Sequence, residues 1–451
     1  MMQFVIAAPR SGSGKTTVTC ALLAALKKRG YAPCAFKSGP DYIDPMFHRA
    51  VLGVESHNLD LYLSDKNTVQ ALYARYAAGH GAAVCEGAMG FYDGQALTTR
   101  ASAWHLADTL GLPVLLVVQP KGASVTLAAE IQGLVHYRTP SRLAGILLND
   151  CSEKLYNMLS PLLERETGLP VLGYLPHLPE AVVESRHLGL KTAAEIDGLQ
   201  AKIDRLAEAL AANLDWARLE ALTERPAPEV PEAGAPTPAS VRIAVAQDEA
   251  FCFAYAETLD ALRNAGAELC FFSPVRDTAL PEGACGLYLP GGYPELYARQ
   301  LSENTAMHTA IRQAVEHGLP TAAECGGFLY LGQELEDADD SVWPMAGVLP
   351  GSGVKVGRLV RFGYAEITAK TDSMLFHAGE RLPIHEFHHW NSTDNGTDFS
   401  VYKNEKTQWE CGFAGASLYA GFPHLYWAGT ALPRRFVQAA ERYRQEKRTN
   451  K

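Results

Sequence analysis

Two stretches of this chain combine residue types and spacing that can do chemistry. The first is Pro9-Arg10-Ser11-Gly12-Ser13-Gly14-Lys15-Thr16-Thr17, set between the apolar run Phe4 to Ala8 and a helical pattern that continues toward Gly30. A Gly-rich turn between strand and helix points backbone N–H groups at an anion, and the helix N-terminus adds its dipole. Gly12, Ser13, Gly14, Lys15, Thr16 and Thr17 are therefore candidates to bind ATP. In that pattern the amides surround the phosphates, Lys15 reaches their outer oxygens and Thr16 holds Mg²⁺. Pro9 stands where the usual pattern has its first glycine.

The second stretch is Thr321-Ala322-Ala323-Glu324-Cys325-Gly326-Gly327-Phe328-Leu329. An apolar run, a Cys, a Gly pair and then a helical pattern present a thiol at a helix N-terminus, where the dipole is expected to favour the thiolate. The amide of Gly326, with that of Gly292 in Pro290-Gly291-Gly292-Tyr293-Pro294-Glu295, is expected to face an oxyanion. A thiol nucleophile needs a base. His385, His388, His389 and His424 are the candidates, and His424 is favoured by its place after a late strand and turn.

Carboxylates gather in two further loops. Lys37-Ser38-Gly39-Pro40-Asp41-Tyr42-Ile43-Asp44-Pro45 and Glu86-Gly87-Ala88-Met89-Gly90-Phe91-Tyr92-Asp93-Gly94 each follow a short apolar strand, and open α/β sheets bind ligands at such strand ends. Any one Asp in a Gly/Pro-rich loop is explained by turn chemistry, but four in two such loops point to a site. Lys37, Asp41, Asp44 and Asp93 are the candidates for substrate and phosphate; Thr16, Asp41 and Glu86 are those for Mg²⁺, which takes hard oxygen ligands.

Elements must hold these groups in place. Pro33 to Phe36, Ala82 to Cys85, Leu112 to Val118, Ala144 to Leu148 and Val171 to Leu175 read as buried strands separated by helical stretches, which predicts a mainly parallel, doubly wound sheet. Ser185 to Leu190 interrupts the pattern before a helix around 192 to 213. The Pro-rich run Pro226 to Pro238 reads as a semi-stiff linker. After it the pattern restarts with strands at Arg242 to Ala246, Leu269 to Phe272 and Cys285 to Leu289, and a helix near Tyr255 to Ala265. The expected division is thus 1–224, a linker at 225–240, and 241–451.

Length and charge bound the alternatives. A chain of 451 residues exceeds the usual size of one core, so two domains are expected. A formal charge of −10 argues against a nucleic-acid partner bound by a basic face. Cys20, Cys34, Cys85, Cys151, Cys252, Cys270, Cys285, Cys325 and Cys411 are odd in number and lack C-x-x-C spacing, which predicts reduced thiols in a cytoplasm and no zinc site. With neither a cationic leader nor a membrane-length apolar run, secretion and membrane insertion are not expected.

Taken together, the phosphate-binding loop, Gly39 to Pro45, Glu86 to Gly94, Arg186-His187-Leu188-Gly189-Leu190, Pro290 to Glu295 and Glu324 to Gly327 resemble the cobyrinic acid a,c-diamide synthase family, in the same order and over nearly the whole chain. The resemblance implies an α/β protein of two domains, each a mainly parallel doubly wound sheet. The first is a P-loop NTPase-like domain of the dethiobiotin-synthetase type acting as an ATP-dependent amidoligase. The second is a class I glutamine amidotransferase domain of the cobyrinate/cobyrate type. It implies ATP, Mg²⁺, glutamine and a corrinoid macrocycle, and a homodimer is compatible with it. It makes Cys325 the glutaminase nucleophile and His424 the residue that activates it. Ordinary class I amidotransferases add a Glu two positions after that His, where this chain has Tyr426; the match is to the branch that works with a Cys-His dyad. Ile384-His385-Glu386-Phe387-His388 also departs from the family's stretch, which begins with Gly. Hydrogenobyrinic acid and nickel-sirohydrochlorin are alternative macrocycles for the same chemistry. A partitioning-type switch ATPase is the alternative of another class, although it would carry a second Lys at Arg10 and no Cys domain.

Overall fold

The computed structural model describes residues 1–181, 193–231 and 237–449, so the motif at Arg186 to Leu190 lies outside the described residues. The chain divides into two units, Met1–Glu232 and Ala233–Lys451.

In the first unit, seven strands form one parallel sheet. They are β1 (Met2–Ala7), β2 (Pro33–Ser38), β3 (Glu55–Leu59), β4 (Ala82–Glu86), β5 (Val114–Val118), β6 (Leu143–Asn149) and β7 (Val171–Leu175), in the spatial order β3-β2-β4-β1-β5-β6-β7. Alternation along β1 sends Phe4 and Ile6 into one apolar core and Val5 and Ala7 into another, so both faces are covered. Burial on both sides is why these strands read as unbroken apolar runs. Helix α1 (Lys15–Lys28) starts directly after the loop that leaves β1, and its apolar residues from Val18 to Leu26 fill the first of these cores. The chain adds β2, β3 and β4 on one side of β1 and β5 to β7 on the other. The loops leaving β1, β2 and β4 therefore open near the point where the winding direction changes, the usual crevice of such sheets.

Two features depart from the expected layout. Strand β3, Glu-Ser-His-Asn-Leu, had no apolar signal; Asn58 donates through Nδ2 to the carbonyls of Gly39 (3.0 Å) and Asp41 (2.7 Å), which ties it to the carboxylate loop. The start of the Pro-rich segment is also packed, since Gln3 Nε2 donates to the Pro226 carbonyl at 2.6 Å.

The second unit has its own sheet from β8 (Val241–Ala246), β9 (Ala267–Phe272), β10 (Ala284–Leu289) and β11 (Thr321–Glu324). Its order runs from the short strand Phe413–Ala414 through Leu418–Gly421 to β11, β10, β8 and β9; only the Phe413–Ala414 pairing is antiparallel. Residues 334–425 also build two smaller sheets that are mainly antiparallel. In the larger of these, His424–Leu425 pairs with Arg381–His388, setting His424 opposite His385. Among the described residues no helix is long and apolar enough to cross a membrane.

Candidate functional site

In the first unit the loop after β1 closes on Gly14, whose φ of +88° favours glycine and whose Cβ, if present, would lie 2.0 Å from Asn149 Nδ2. Asn149, at the end of β6, donates to the Ser13 carbonyl at 3.1 Å. Sequence reading gave Asn149 no part, because nothing near it in the chain marks it. Lys15 Nζ donates to the Met89 carbonyl and, at 3.4 Å, to that of Arg10. Met89 turns its carbonyl this way in a left-handed conformation, φ +51°. Burial lowers the Lys15 pKa, while Glu86 opposes that shift.

Next to Lys15, Thr16 Oγ1 donates to Glu86 Oε1 at 2.6 Å. Lys37 Nζ bridges the carboxylates of Asp44 and Glu86, with Glu86 Oε1 at 2.7 Å, and all three side chains are buried. Burial works against the Lys37 charge, but Glu86 and Asp44 outweigh it and raise its pKa, so the ammonium is fixed. Lys37 is thus held by two carboxylates. The register explains the contact, because Lys37 on β2 pairs directly with Glu86 on β4.

Asp41 and Asp93 serve their own loops. Asp41 Oδ1 accepts the N–H groups of Ile43 (2.8 Å) and Asp44 (3.2 Å), closing the turn into helix α2 (Ile43–Ala50); burial, then Asp44, raises its pKa. Asp93 Oδ2 accepts the Gly90 N–H at 3.1 Å. Thr16 and Glu86 fit Mg²⁺ best. Glu86 Oε2 is buried with no hydrogen-bond partner among the described residues, which leaves a hard oxygen beside a hydroxyl. No cluster of three or more His, Cys, Asp or Glu side chains suited to a metal occurs among the described residues, so phosphate oxygens would have to complete the shell.

In the second unit β11 ends at Glu324, and Cys325 turns the chain with φ +49° and ψ −104° before the six-residue helix Gly326–Leu331. A non-Gly residue in this region is strained, as a nucleophile on a sharp strand-to-helix turn is. The Cys325 N–H is anchored to the Gly421 carbonyl at 2.8 Å. Gly291 lies between the two side chains: a Cβ there would fall 2.6 Å from His424 Cε1 and 3.4 Å from the Cys325 Cβ. A Cβ on Gly326 would be 3.0 Å from the Gly292 nitrogen, so the two predicted oxyanion residues are neighbours. The structure therefore brings Cys325, His424, Gly292 and Gly326 together.

The expected thiolate is not favoured. Burial and then Glu295 push the Cys325 thiol up, and the Gly326 N–H only partly opposes them. Burial, with His385 and His388 nearby, pushes His424 down to about 3. A short helix at a closed site cannot offset this desolvation, and both groups rest neutral. Burial likewise pushes Glu295 up to about 7 and Glu324 up to about 8.

The other candidate bases have different surroundings. His388 Nδ1 meets the Trp390 carbonyl at 2.6 Å, Nε2 meets Glu386 at 3.2 Å, and the ring stacks on Phe422 at 3.8 Å. Burial lowers His385 to about 4, and His389 is exposed.

Residues 4–188 match the family described as CobQ/CobB/MinD/ParA nucleotide binding domain, and residues 242–431 match the CobB/CobQ-like glutamine amidotransferase domain. Among curated proteins, "Cobyrinate a,c-diamide synthase" of Clostridium tetani is 37% identical over 95% of this chain and 98% of its own length. The protein of that name from Caldanaerobacter subterraneus subsp. tengcongensis is 38% identical over 94% of each chain. That from Synechococcus sp. is 38% identical over 98% of each.

Proposed function

The chain belongs to the cobyrinate a,c-diamide synthase family, and from that premise we propose that it converts the a and c acetate carboxylates of cobyrinic acid to amides, using ATP and glutamine. It is a glutamine-hydrolysing carbon–nitrogen ligase that acts in cobalamin biosynthesis. The observation that carries the reading is the pairing of two dissimilar sites in one chain, a phosphate-binding loop backed by Glu86 and a Cys-His pair on a strained turn. Nine cysteines, an odd number without C-x-x-C spacing, support a reducing, cytoplasmic setting.

In the first unit the amides of Gly12 to Thr17 and the Lys15 ammonium hold the phosphates, and Lys15 exchanges its loop carbonyls for them. Thr16 and Glu86 would hold Mg²⁺, which would neutralise phosphate charge when bound. Asp44 and Lys37 fix Glu86, while Asp41 and Asp93 shape the loops that receive the macrocycle's carboxylate. That carboxylate attacks the γ-phosphorus and becomes an acyl phosphate, with ADP leaving; ammonia then displaces phosphate to give the amide.

In the second unit the Cys325 Sγ attacks the glutamine δ-carbon while its proton moves to His424, and the Gly292 and Gly326 amides stabilise the oxyanion. His424 returns the proton to the departing nitrogen, ammonia leaves, and water hydrolyses the thioester to glutamate. Because thiol and imidazole both rest neutral, proton transfer accompanies the attack.

Cys325→Ala tests this division of labour. Amide formation from glutamine should fall to background while amide formation from ammonium salts persists, both read as product mass. Equal loss with both nitrogen sources would sink the assignment.

A further inference from the structure

The position two residues after His424 carries Tyr426, whose ring packs edge-on against Tyr255 at 5.1 Å and offers no carboxylate. A carboxyl lies beside the imidazole on another side. Glu324, the last residue of β11 and the one before the nucleophile, is 1% exposed, and its Oε2 lies 3.9 Å from His424 Nδ1. The same oxygen receives the Tyr288 hydroxyl at 3.5 Å, and Oε1 accepts the Trp427 indole N–H at 2.9 Å. Trp427 is itself wedged between Tyr288 and Phe436, at 5.6 and 5.5 Å between ring centres, so the indole is fixed. One carboxyl oxygen is therefore locked, and the other is presented to the ring of His424. A buried carboxyl opposes folding unless its interactions compensate, and an apolar residue would serve packing better.

We propose that Glu324 positions His424, its carboxylate holding the Nδ1 edge so that Nε2 takes the Sγ proton of Cys325 and stabilising the imidazolium as the carbon–sulfur bond forms. The inference rests on reading Cys325 and His424 as the glutaminase pair. The Sγ proton passes to Nε2 and on to the leaving nitrogen as the carbon–nitrogen bond breaks. Glu324 donates and accepts no proton in this sequence. Its ionised fraction is the competent one, and burial limits that fraction at neutral pH. The groups facing it are Tyr288 of β10, Tyr419 of the neighbouring strand Leu418–Gly421, Cys325, and His424 and Trp427 of the late segment.

The test compares the full-length wild type, Cys325→Ala and Glu324→Gln for glutamate release and for ammonium-dependent amidation. Glutamine at this position keeps the shape and can still accept the indole N–H, but carries no charge. Glu324→Gln is expected to lower kcat for glutamate release on the order of 100-fold with KM unchanged. It should lose the wild-type rise in kcat as pH approaches 8 and keep wild-type ammonium-dependent amidation. Wild-type kcat in Glu324→Gln, with Cys325→Ala inactive, overturns the inference alone. Glutamate release by Cys325→Ala overturns the site reading beneath it. If Glu324→Gln also loses ammonium-dependent activity through misfolding, Trp427→Phe decides. Removing the N–H that anchors Oε1 should lower kcat about tenfold at constant KM, and an unchanged kcat overturns the inference.

Discussion

The two sites bury ionisable groups under opposite regimes. Around Glu86 the charges are kept and compensated, with Lys37 clamped by Asp44 and Glu86 and the Thr16 hydroxyl turned to the same oxygen. Around Cys325 charge is disfavoured: burial pushes the thiol up and His424 down, so both rest neutral, and it pushes Glu324 up to about 8, so only a fraction of that carboxyl is ionised at neutral pH. The difference fits the proposed chemistry. A site that receives phosphates needs fixed charge before the ligand arrives, whereas a site that moves one proton between thiol, imidazole and ammonia works from neutral groups and creates charge only in passing. Removing one group should therefore disturb the first site far more than the second.

The largest expected effect comes from Lys37→Met, which leaves Asp44 and Glu86 buried without their cation. Breaking a buried pair from one side costs about 3–5 kcal/mol. Unfolding by denaturant should register that loss in the first unit, and amidation should fail with glutamine and with ammonium alike. Cys325→Ala should unfold close to wild type, since it removes a neutral group. A Lys37→Met protein as stable as wild type would erase the contrast.

Acidity separates the regimes next. In the second unit burial holds His424 at about 3 and His308 and His385 at about 4, all below the unfolded value. Stability from these neutral imidazoles is complete above pH about 6.5 and is lost as pH falls through the folded values. Glu295 and Glu324 act with the opposite sign. Their pKa values are raised to about 7 and about 8, so their contribution is complete below the unfolded value of about 4.5 and is lost as pH rises through the folded ones. The unit should be most stable near pH ~6.5, with losses on the order of 1–3 kcal/mol per group at either extreme. Hydrogen exchange of β11 and the His424–Leu425 strand in the full chain, corrected for intrinsic rates, measures this. Protection that rises steadily from pH 5 to 8 would contradict it.

What the sequence disclosed and what it hid also divide along physical lines. The phosphate-binding loop and the Cys325 turn are local: strand, glycines and helix start lie within a dozen residues, so chain order alone exposes them. Both buried sheets announced themselves through apolar runs. Strand β3 did not, because Ser56, His57 and Asn58 are buried polar residues, and the ties made by Asn58 become visible only once Gly39 and Asp41 lie beside it. Glu324 stands within a local motif that assigns it no role, because its partners Trp427 and His424 come from the far end of the chain. Asn149 was missed for the same reason, and the thiolate expectation failed because a dipole argument from chain order ignores how closed the site is.

The smallest effect probes the neutral regime from inside. Glu295 is the strongest charged influence on Cys325 after burial itself, and it titrates at about 7. Below that pH it is protonated and adds little; above it, its carboxylate raises the thiol further. Glu295→Gln fixes the protonated condition. Alkylation of Cys325 by iodoacetamide, located by mass spectrometry among the nine free thiols, should then match wild type at pH 6. At pH 8.5 it should run faster by up to about tenfold, one unit of thiol acidity. Equal rates at both pH values would mean that burial alone sets the thiol and that charge has no part in that site before glutamine binds. A faster rate at both would point to a loosened turn rather than to a charge removed.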